Sequence, residues 1–317
     1  MTNHRNRTII TEVFFLGFES LTEYKVPLFI LLFFTYTFTC AENFLIILLI
    51  CRSSNLHSPM YFLIGNLLFI EIIYITNLAP YLMYNIVSGR WIIDFTGCLI
   101  QINVTIGITV VEIFLLTLMS YDRYLAVCHP LRYSALIHIR LCLYFVIVFW
   151  ITSLFIISTI FYFLITLVFC GPIAMEHFVC EFTTFLTFAC IMSDITTLNI
   201  YSLVLSALLN APFFIILVSY ILIIISVLKI RTSVGRWKAF STCASHLTVV
   251  TIYFGIPFFA SMVPGGKTYY NLMAAIYYGV PPLINPIIYS LRNKEIHKAL
   301  QTAMSDLRKY FINKMHS

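Results

Sequence analysis

Long apolar runs without charged residues dominate the chain. Asp, Glu, Lys and Arg are absent from residues 141–175, 195–228, 239–266 and 268–291. Each run exceeds the roughly 20 apolar residues that a helix needs to cross a bilayer. None shows the alternation of a half-buried strand, so we predict membrane-spanning helices rather than a β-barrel. Seven such spans are predicted, over residues 26–51, 59–84, 97–127, 140–163, 197–229, 237–262 and 271–291.

The composition supports a membrane protein. Hydrophobic residues make up 61% of the chain and charged residues only 10%, whereas soluble domains carry about a quarter of charged residues. The net charge of +6 would suit a nucleic-acid partner, but the basic residues lie between and after the apolar runs, so we predict none. We interpret residues 1–317 as one domain, with an N-terminal segment (1–25), a helix bundle (26–291) and a tail (292–317). Since residues 1–25 do not resemble a cleavable signal peptide, the first span is expected to act as an uncleaved signal anchor.

The basic residues also predict an orientation. Most of them fall after spans one, three, five and seven, which places the N-terminus outside by the positive-inside rule. The sequon Asn6-Arg7-Thr8 then lies outside, and we predict that Asn6 is glycosylated. A second sequon at Asn103 lies inside the third span and is interpreted as accidental.

The cysteines also differ in which side of the membrane they are predicted to face. Four lie on the predicted outer side, where the environment is oxidising, and permit three pairings. The leading prediction pairs Cys98 with Cys180, which ties the third span to the long outer loop, and Cys170 with Cys190, which closes that loop on itself. The remaining cysteines are predicted to be free thiols: Cys40, Cys51, Cys128, Cys142 and Cys243.

Five short motifs follow one another in a characteristic order. They read LHSPMYF (56–62), MSYDRYLAVC (119–128), SY (219–220), KAFSTCASHL (238–247) and PLINPIIYSLRN (282–293). An Asp-Arg-Tyr triplet alone is common by chance, but the whole set resembles the rhodopsin-like G-protein-coupled receptors, in the form typical of vertebrate odorant receptors. The resemblance covers essentially the whole chain.

The resemblance implies both a fold and a function. The fold would be an all-α seven-transmembrane bundle with an extracellular N-terminus and a short amphipathic helix after span seven. The function would be that of an odorant receptor in the plasma membrane, in the sensory cilia of olfactory neurons. Such a receptor binds a small molecule in the outer half of the bundle and activates a stimulatory, olfactory-type G protein that raises cyclic AMP.

Other functions are less well supported by the residues. The chain lacks a His-Glu-x-x-His motif, a Gly-rich phosphate loop and a paired CxxC, so we predict that it is not an enzyme. A channel or transporter would suit intramembrane acids, but transporters usually show paired repeats with broken helices, and none is visible in the sequence. The same receptor architecture sensing a non-odorant metabolite outside the nose remains an open alternative.

Arg123 is the centre of the predicted switch. It lies at a helix end and cannot lose its charge, so it must pair or reach water. A simple membrane-interface anchor is one interpretation; the resemblance instead implies that Arg123 pairs with Asp122 at rest and turns toward tyrosines and a G protein on activation. The predicted switch and coupling residues are Asp122, Arg123, Tyr124, Tyr220, His246, Asn285, Pro286 and Tyr289. Loops 129–139 and 229–238 are expected to contact the G protein.

The resemblance also places a ligand pocket between spans three, five, six and seven, under the long outer loop. The predicted lining is Thr105, Ile106, Thr109, Val110, Glu181, Phe182, Tyr201, Val204, Leu205, Leu208, Phe254, Pro257, Phe258, Ser261, Tyr277 and Tyr278. This lining suits a small, mostly apolar ligand. Span six departs from the family, because Tyr253-Phe254-Gly255 reverses the usual Phe-Tyr-Gly and is expected to remove a hydroxyl from the pocket floor. Pro257 is expected to bend the helix.

Two acidic residues, Glu71 and Glu112, lie in mid-span, where an ionised carboxylate is costly. Both resemble interior acidic positions of the family, which usually has Asp in place of Glu71. A sodium ion held by these groups with Asn43 and Asn285 is one interpretation, since hard cations prefer oxygen ligands. A protonated, hydrogen-bonded carboxyl is the other, and no further cofactor is predicted. Glu42 replaces the family's usual Gly, and it faces the interior or weakens helix packing.

Overall fold

Seven long helices form the body of the molecule. The computed structural model describes residues 10–16, 24–169, 171–191, 195–263, 266–291 and 294–315. With helices numbered in chain order, the long ones are α1 (Lys25–Arg52), α2 (Pro59–Ser88), α3 (Phe95–Cys128), α5 (Ile139–Thr166), α7 (Ile195–Leu228), α8 (Ser233–Met262) and α9 (Lys267–Leu291). All seven are long and apolar enough to cross a membrane. The predicted seven-helix fold is therefore confirmed, with every predicted span inside one helix or within a residue of its end.

Local sequence signals explain several helix ends. Pro59 occupies the first turn of α2, where its missing N–H costs no helical hydrogen bond. Gly89 ends this helix with a φ of 66°, a left-handed conformation that favours glycine. Asp94 caps α3, because its side chain accepts a hydrogen bond from the Gly97 N–H at 2.8 Å.

The distribution of exposed side chains separates a lipid-facing surface from a buried interior. Large apolar side chains stand exposed on the peripheral helices, such as Phe34 (65%), Phe155 (70%) and Leu203 (70%). In contrast, α3 lies at the centre and contacts α2, α5, α7 and α8. Its approach to α5 is close, since Ser153 donates a hydrogen bond to the Gly107 carbonyl at 2.8 Å and a Cβ on Gly107 would lie 3.0 Å from that hydroxyl. Small residues permit such close helix crossings in membranes.

Short strands cover one end of the bundle, which we call the outer end and which contains Cys98; the opposite end, with Arg123, is the inner end. Strand β1 (Glu12–Phe15) lies between β2 (Ile92–Asp94) and β4 (Ile173–Met175), antiparallel to the first and parallel to the second. Strand β3 (Val168–Phe169) pairs with β5 (Ala189–Ile191). The sequence analysis predicted no strands, because segments of two to four residues are too short to show a period.

The outer end has an apolar core of its own. Side chains of these strands pack with the ends of α3 and α5 and with the short helix α6 (Phe182–Leu186). We call this set the outer cluster: Val13, Phe15, Ile93, Cys98, Leu99, Ile102, Ile160, Leu164, Phe169, Ile173, Met175, Cys180 and Phe185. The N-terminal strand is thus an integral part of the fold.

Two further helices lie at the inner end. The short helix α4 (Tyr133–Leu136) falls between α3 and α5, and α10 (Lys294–Met315) follows α9. The predicted short amphipathic helix corresponds to α10, which at 22 residues is longer than expected. Its first turns pack on the bundle through the buried Ile296, whereas Met304 is 62% exposed.

Candidate functional site

A disulfide fixes the outer loop to the central helix. Cys98 on α3 is bonded to Cys180, with Cα atoms 5.5 Å apart, which confirms the first predicted pairing. The Cys180 N–H also donates to the side-chain oxygen of Gln101 at 2.8 Å, so the loop is held by two adjacent contacts. The five cysteines predicted to be free are free. The second predicted pairing and the predicted glycan lie outside the described residues, which include neither Asn6 nor Cys170 nor the side chain of Cys190.

Seven aromatic rings meet below this loop, between α2, α7, α8 and α9. Three of them, Phe254, Tyr277 and Tyr278, belong to the predicted ligand site. Ring-centroid distances between neighbours run from 5.1 Å for Phe213–Phe254 to 6.4 Å for Tyr253–Phe254. We call this set the aromatic cluster: Tyr74, Phe178, Phe213, Tyr253, Phe254, Tyr277 and Tyr278. Sequence reasoning missed the other four, because helix rotation and loop position decide which rings meet.

The two buried acids lie just beneath the cluster. Glu71 and Glu112 are 1% and 2% exposed. The Asn285 side-chain amide donates to Glu71, and the Tyr253 hydroxyl donates to Glu112. The sequence analysis expected the reversed Tyr-Phe order to remove a hydroxyl from the pocket floor; in the structure the hydroxyl of Tyr253 is directed to a buried carboxyl.

An ion pair between neighbouring residues stands at the inner end of α3. Arg123 Nη2 lies 2.9 Å from Asp122 Oδ2, and both side chains are buried. The Tyr133 hydroxyl of α4 donates to Asp122 Oδ1 at 2.6 Å. Burial, followed by the negative charge of Asp122, raises the pKa of Tyr133 above its ordinary value, so this hydroxyl keeps its proton at physiological pH.

The other predicted switch residues surround Arg123. The Tyr220 hydroxyl shares a hydrogen bond with His246 Nδ1 at 2.6 Å, and the two rings stack 5.9 Å apart. Tyr220, His246 and Tyr289 are all buried and lie near Arg123. The buried hydroxyl of Tyr289 has no hydrogen-bond partner among the described residues.

Three members of the predicted switch set lie apart from this group. Tyr124 points to the inner loop and shares a hydrogen bond with His129 Nε2 at 3.1 Å. Asn285 and Pro286 lie about one turn before Tyr289 on α9, where Asn285 contacts Glu71.

Comparison with known proteins identifies the family. The sequence model of the olfactory receptor family matches residues 32–307. The chain belongs to the olfactory receptor family. It is 40% identical to human olfactory receptor 5A2 over 95% of this chain and 93% of that one. It is 38% identical to the dog olfactory receptor-like protein OLF3, over 95% and 96% of the two chains, and 36% identical to mouse olfactory receptor 5P55, over 95% and 97%.

Membership of the olfactory receptor family confirms the resemblance drawn from the motifs. The family consists of G-protein-coupled receptors that are not enzymes. Together with the seven spanning helices, it shows a multi-pass protein of the plasma membrane. Membership also implies a small-molecule ligand, a G protein and the lipid bilayer as partners.

The remaining predicted lining residues of this olfactory receptor fall into three groups: partly or fully buried, exposed, and not described. The first group includes all those on α3, of which Thr105 accepts a hydrogen bond at its hydroxyl from the Asn77 amide at 3.1 Å. Val204 (59% exposed), Phe258 (54% exposed) and Pro257 have exposures typical of lipid-facing side chains. Side chains that are partly or fully buried are Thr105, Ile106, Thr109, Val110, Glu181, Phe182, Leu205 and Leu208. The side chains of Tyr201 and Ser261 are not described.

Several buried oxygens near Glu71 lack a hydrogen-bond donor among the described residues: Glu71 Oε2, Asn43 Oδ1 and Asn285 Oδ1. Glu42 also has a buried oxygen without a hydrogen-bond partner among the described residues, so it faces the interior. Within the described part of the chain, no group of three His, Cys, Asp or Glu side chains could hold a metal ion. The unpartnered oxygens are nevertheless of the type that a hard monovalent cation prefers, so their chemistry fits sodium.

Proposed function

We propose that this olfactory receptor binds a small, mostly apolar odorant at the aromatic cluster and activates a stimulatory, olfactory-type G protein that raises cyclic AMP. In this proposal the outer end faces the extracellular side, as the positions of the basic residues predict. The carrying observation is that the cluster and the Arg123 group share three helices, since α7, α8 and α9 supply residues to both.

The chemistry of the cluster supports an apolar ligand. Aromatic rings offer large apolar faces, and the polar groups of the seven rings are the hydroxyls of the four tyrosines. The nearest carboxyls already have donors, because Glu112 accepts from Tyr253, and Glu181 accepts from the Thr183 and Thr184 hydroxyls. A ligand with one hydrogen-bonding group therefore fits better than a cationic amine. Thr105, Thr109, Leu205 and Leu208 complete the proposed site.

The inner end supports a switch. In the resting state Arg123 is held by Asp122, which Tyr133 also engages. On activation, α8 moves outward, Arg123 leaves Asp122, and its guanidinium turns toward Tyr220, Tyr289 and the G protein. The loops at 129–139 and 229–238 complete the proposed coupling surface.

A sodium ion is part of the proposal, held by Glu71, Asn43 and Asn285, with Glu112 nearby. When bound, sodium would supply a positive charge that offsets the buried carboxylates. The residues themselves supply the oxygens, and Asn43 is oriented by donating to the Thr39 and Pro282 carbonyls at 2.8 and 3.1 Å. Glycosylation of Asn6 and the Cys170–Cys190 disulfide remain predictions.

The test is cyclic AMP in cells that express the chain with the stimulatory olfactory-type G protein, screened against a broad odorant panel. The control is Arg123→Ala at equal surface expression. We expect a ligand-dependent rise that Arg123→Ala abolishes. A response only to non-odorant metabolites would show that the ligand is a metabolite and not an odorant. Ligand-gated ion flux without a G protein would contradict the receptor mechanism.

A further inference from the structure

Two adjacent aromatic side chains of α8 face different helices. Tyr253 is 5% exposed and donates its hydroxyl to Glu112 on α3. Phe254 packs instead on Phe213 of α7, with ring centroids 5.1 Å apart. Since neighbouring residues of a helix point about 100° apart, the order of the two aromatics decides which helix the hydroxyl meets. The reversed order in this chain therefore creates the contact with α3.

The Tyr253–Glu112 contact lies between the proposed ligand site and the α9 proline. On the outer side, the Tyr253 ring packs against Tyr277 at 5.9 Å. On the inner side, the second buried acid, Glu71, accepts a hydrogen bond from Asn285. Asn285 directly precedes Pro286, so the acids beneath the aromatic cluster are joined both to α8 and to the point where α9 lacks a helical hydrogen bond.

The contact also favours one arrangement of α3 and α8. Glu112 is buried, and a buried carboxyl that loses its donor is left unsatisfied at considerable cost. Outward movement of α8 would separate the hydroxyl from the carboxyl. The contact therefore stabilises the arrangement in which α8 lies against α3.

We propose that Tyr253 is a positioning residue that holds this receptor inactive without ligand: its hydroxyl binds Glu112 and keeps α8 against α3. A ligand that displaces Tyr277 shifts the adjoining Tyr253 ring and breaks the contact. The proposal rests on the proposed function in one respect, since it takes outward movement of α8 to be the step that reaches the G protein.

The first test measures basal cyclic AMP at matched surface expression. Tyr253→Phe removes only the hydroxyl, and we expect basal signalling to rise about threefold to tenfold, the effect of losing one buried hydrogen bond on a two-state equilibrium. Thr251→Val is the matched control, because among the described residues the Thr251 hydroxyl bonds to the Leu247 carbonyl of its own helix, at 2.8 Å, and to no other group. The exchange Tyr253→Phe with Phe254→Tyr should stay elevated, because the restored hydroxyl faces α7; a return to the wild-type level would overturn the proposal.

A second test does not depend on a G protein. Spin labels at Leu131→Cys and Trp237→Cys, both exposed positions, report the distance between the inner ends of α3 and α8 in the purified receptor with Cys51→Ser. We expect Tyr253→Phe to add a longer-distance population that wild type and Thr251→Val lack. An unchanged distance distribution together with unchanged basal signalling overturns the proposal. A longer distance without any change in cyclic AMP supports the contact and contradicts the proposed G-protein coupling instead.

Discussion

The outer and inner ends of this receptor are built from different interactions. The outer cluster is apolar, closed by a disulfide, and includes strands from three distant parts of the chain. The inner end contains an ion pair, a Tyr–His hydrogen bond and a tyrosine hydroxyl that has no hydrogen-bond partner in the part of the chain that the structure describes. Apolar packing and covalent links resist rearrangement, whereas polar contacts can be exchanged for others at small net cost. The comparison indicates a rigid outer end and a bistable inner end.

The largest expected effect tests the rigidity of the outer end. Phe15 is 2% exposed, so Phe15→Ala should destabilise the receptor by about 3–5 kcal/mol through the cavity it leaves. Surface expression and the thermal unfolding temperature of the purified receptor measure this loss. Leu16→Ala is the neighbouring control, because Leu16 is 42% exposed. Equal effects of the two substitutions would show that the N-terminal strand does not belong to the outer core.

A smaller effect is expected at the inner end. Tyr133→Phe removes the hydroxyl that holds Asp122 at 2.6 Å, which weakens the resting arrangement by about 1 kcal/mol. Basal cyclic AMP should rise roughly fivefold, while thermal stability changes little. Tyr144→Phe, at a 62% exposed position of α5, should leave both unchanged. A fall in thermal stability without a rise in basal cyclic AMP would show that Tyr133 stabilises the fold and takes no part in the switch.

The smallest effect concerns pH at the outer loop. Burial lowers the pKa of His177 below its ordinary value of 6.5, and the charge of Glu181 offsets this only in part. Since the unfolded chain then binds more protons than the folded receptor, stability should fall as the pH drops below about 6.5. His177→Gln should reduce this fall, and Glu181→Gln should enlarge it. Identical pH profiles of unfolding temperature for all three proteins would contradict this.

Hydropathy and motifs predicted the inner end better than the outer end. The spans follow from uncharged runs, and Arg123, Tyr220, His246 and Tyr289 were named from motifs because each stands at a fixed place in a helix. Their partners were harder to foresee: Tyr133 reaches Asp122 only because α4 folds back beside α3.

The outer end depends on contacts between distant segments. Val13 pairs with Ile93 on one side and Ile173 on the other, and nothing in the four residues of β1 indicates either partner. The aromatic cluster shows the same difficulty, since sequence alone does not set helix rotation. The family resemblance placed Val204 and Phe258 in the ligand pocket, but the structure exposes them. The swapped Tyr253-Phe254 order was expected to remove a hydroxyl from the pocket floor, but the contact of the Tyr253 hydroxyl with Glu112 was not foreseen.

We assign ligand recognition to the outer half and G-protein coupling to the inner end. The most direct test of this assignment is a pair of odorant concentration–response curves for cyclic AMP. Tyr278→Ala alters the aromatic cluster and Arg123→Ala the inner end, both at matched surface expression. We predict that Tyr278→Ala raises the half-maximal concentration about tenfold or more, from the lost apolar contact, with the maximum retained. Arg123→Ala should abolish the maximum. A lost maximum in Tyr278→Ala with unchanged potency, or a full maximum in Arg123→Ala, would contradict the assignment of recognition to the outer half and coupling to the inner end.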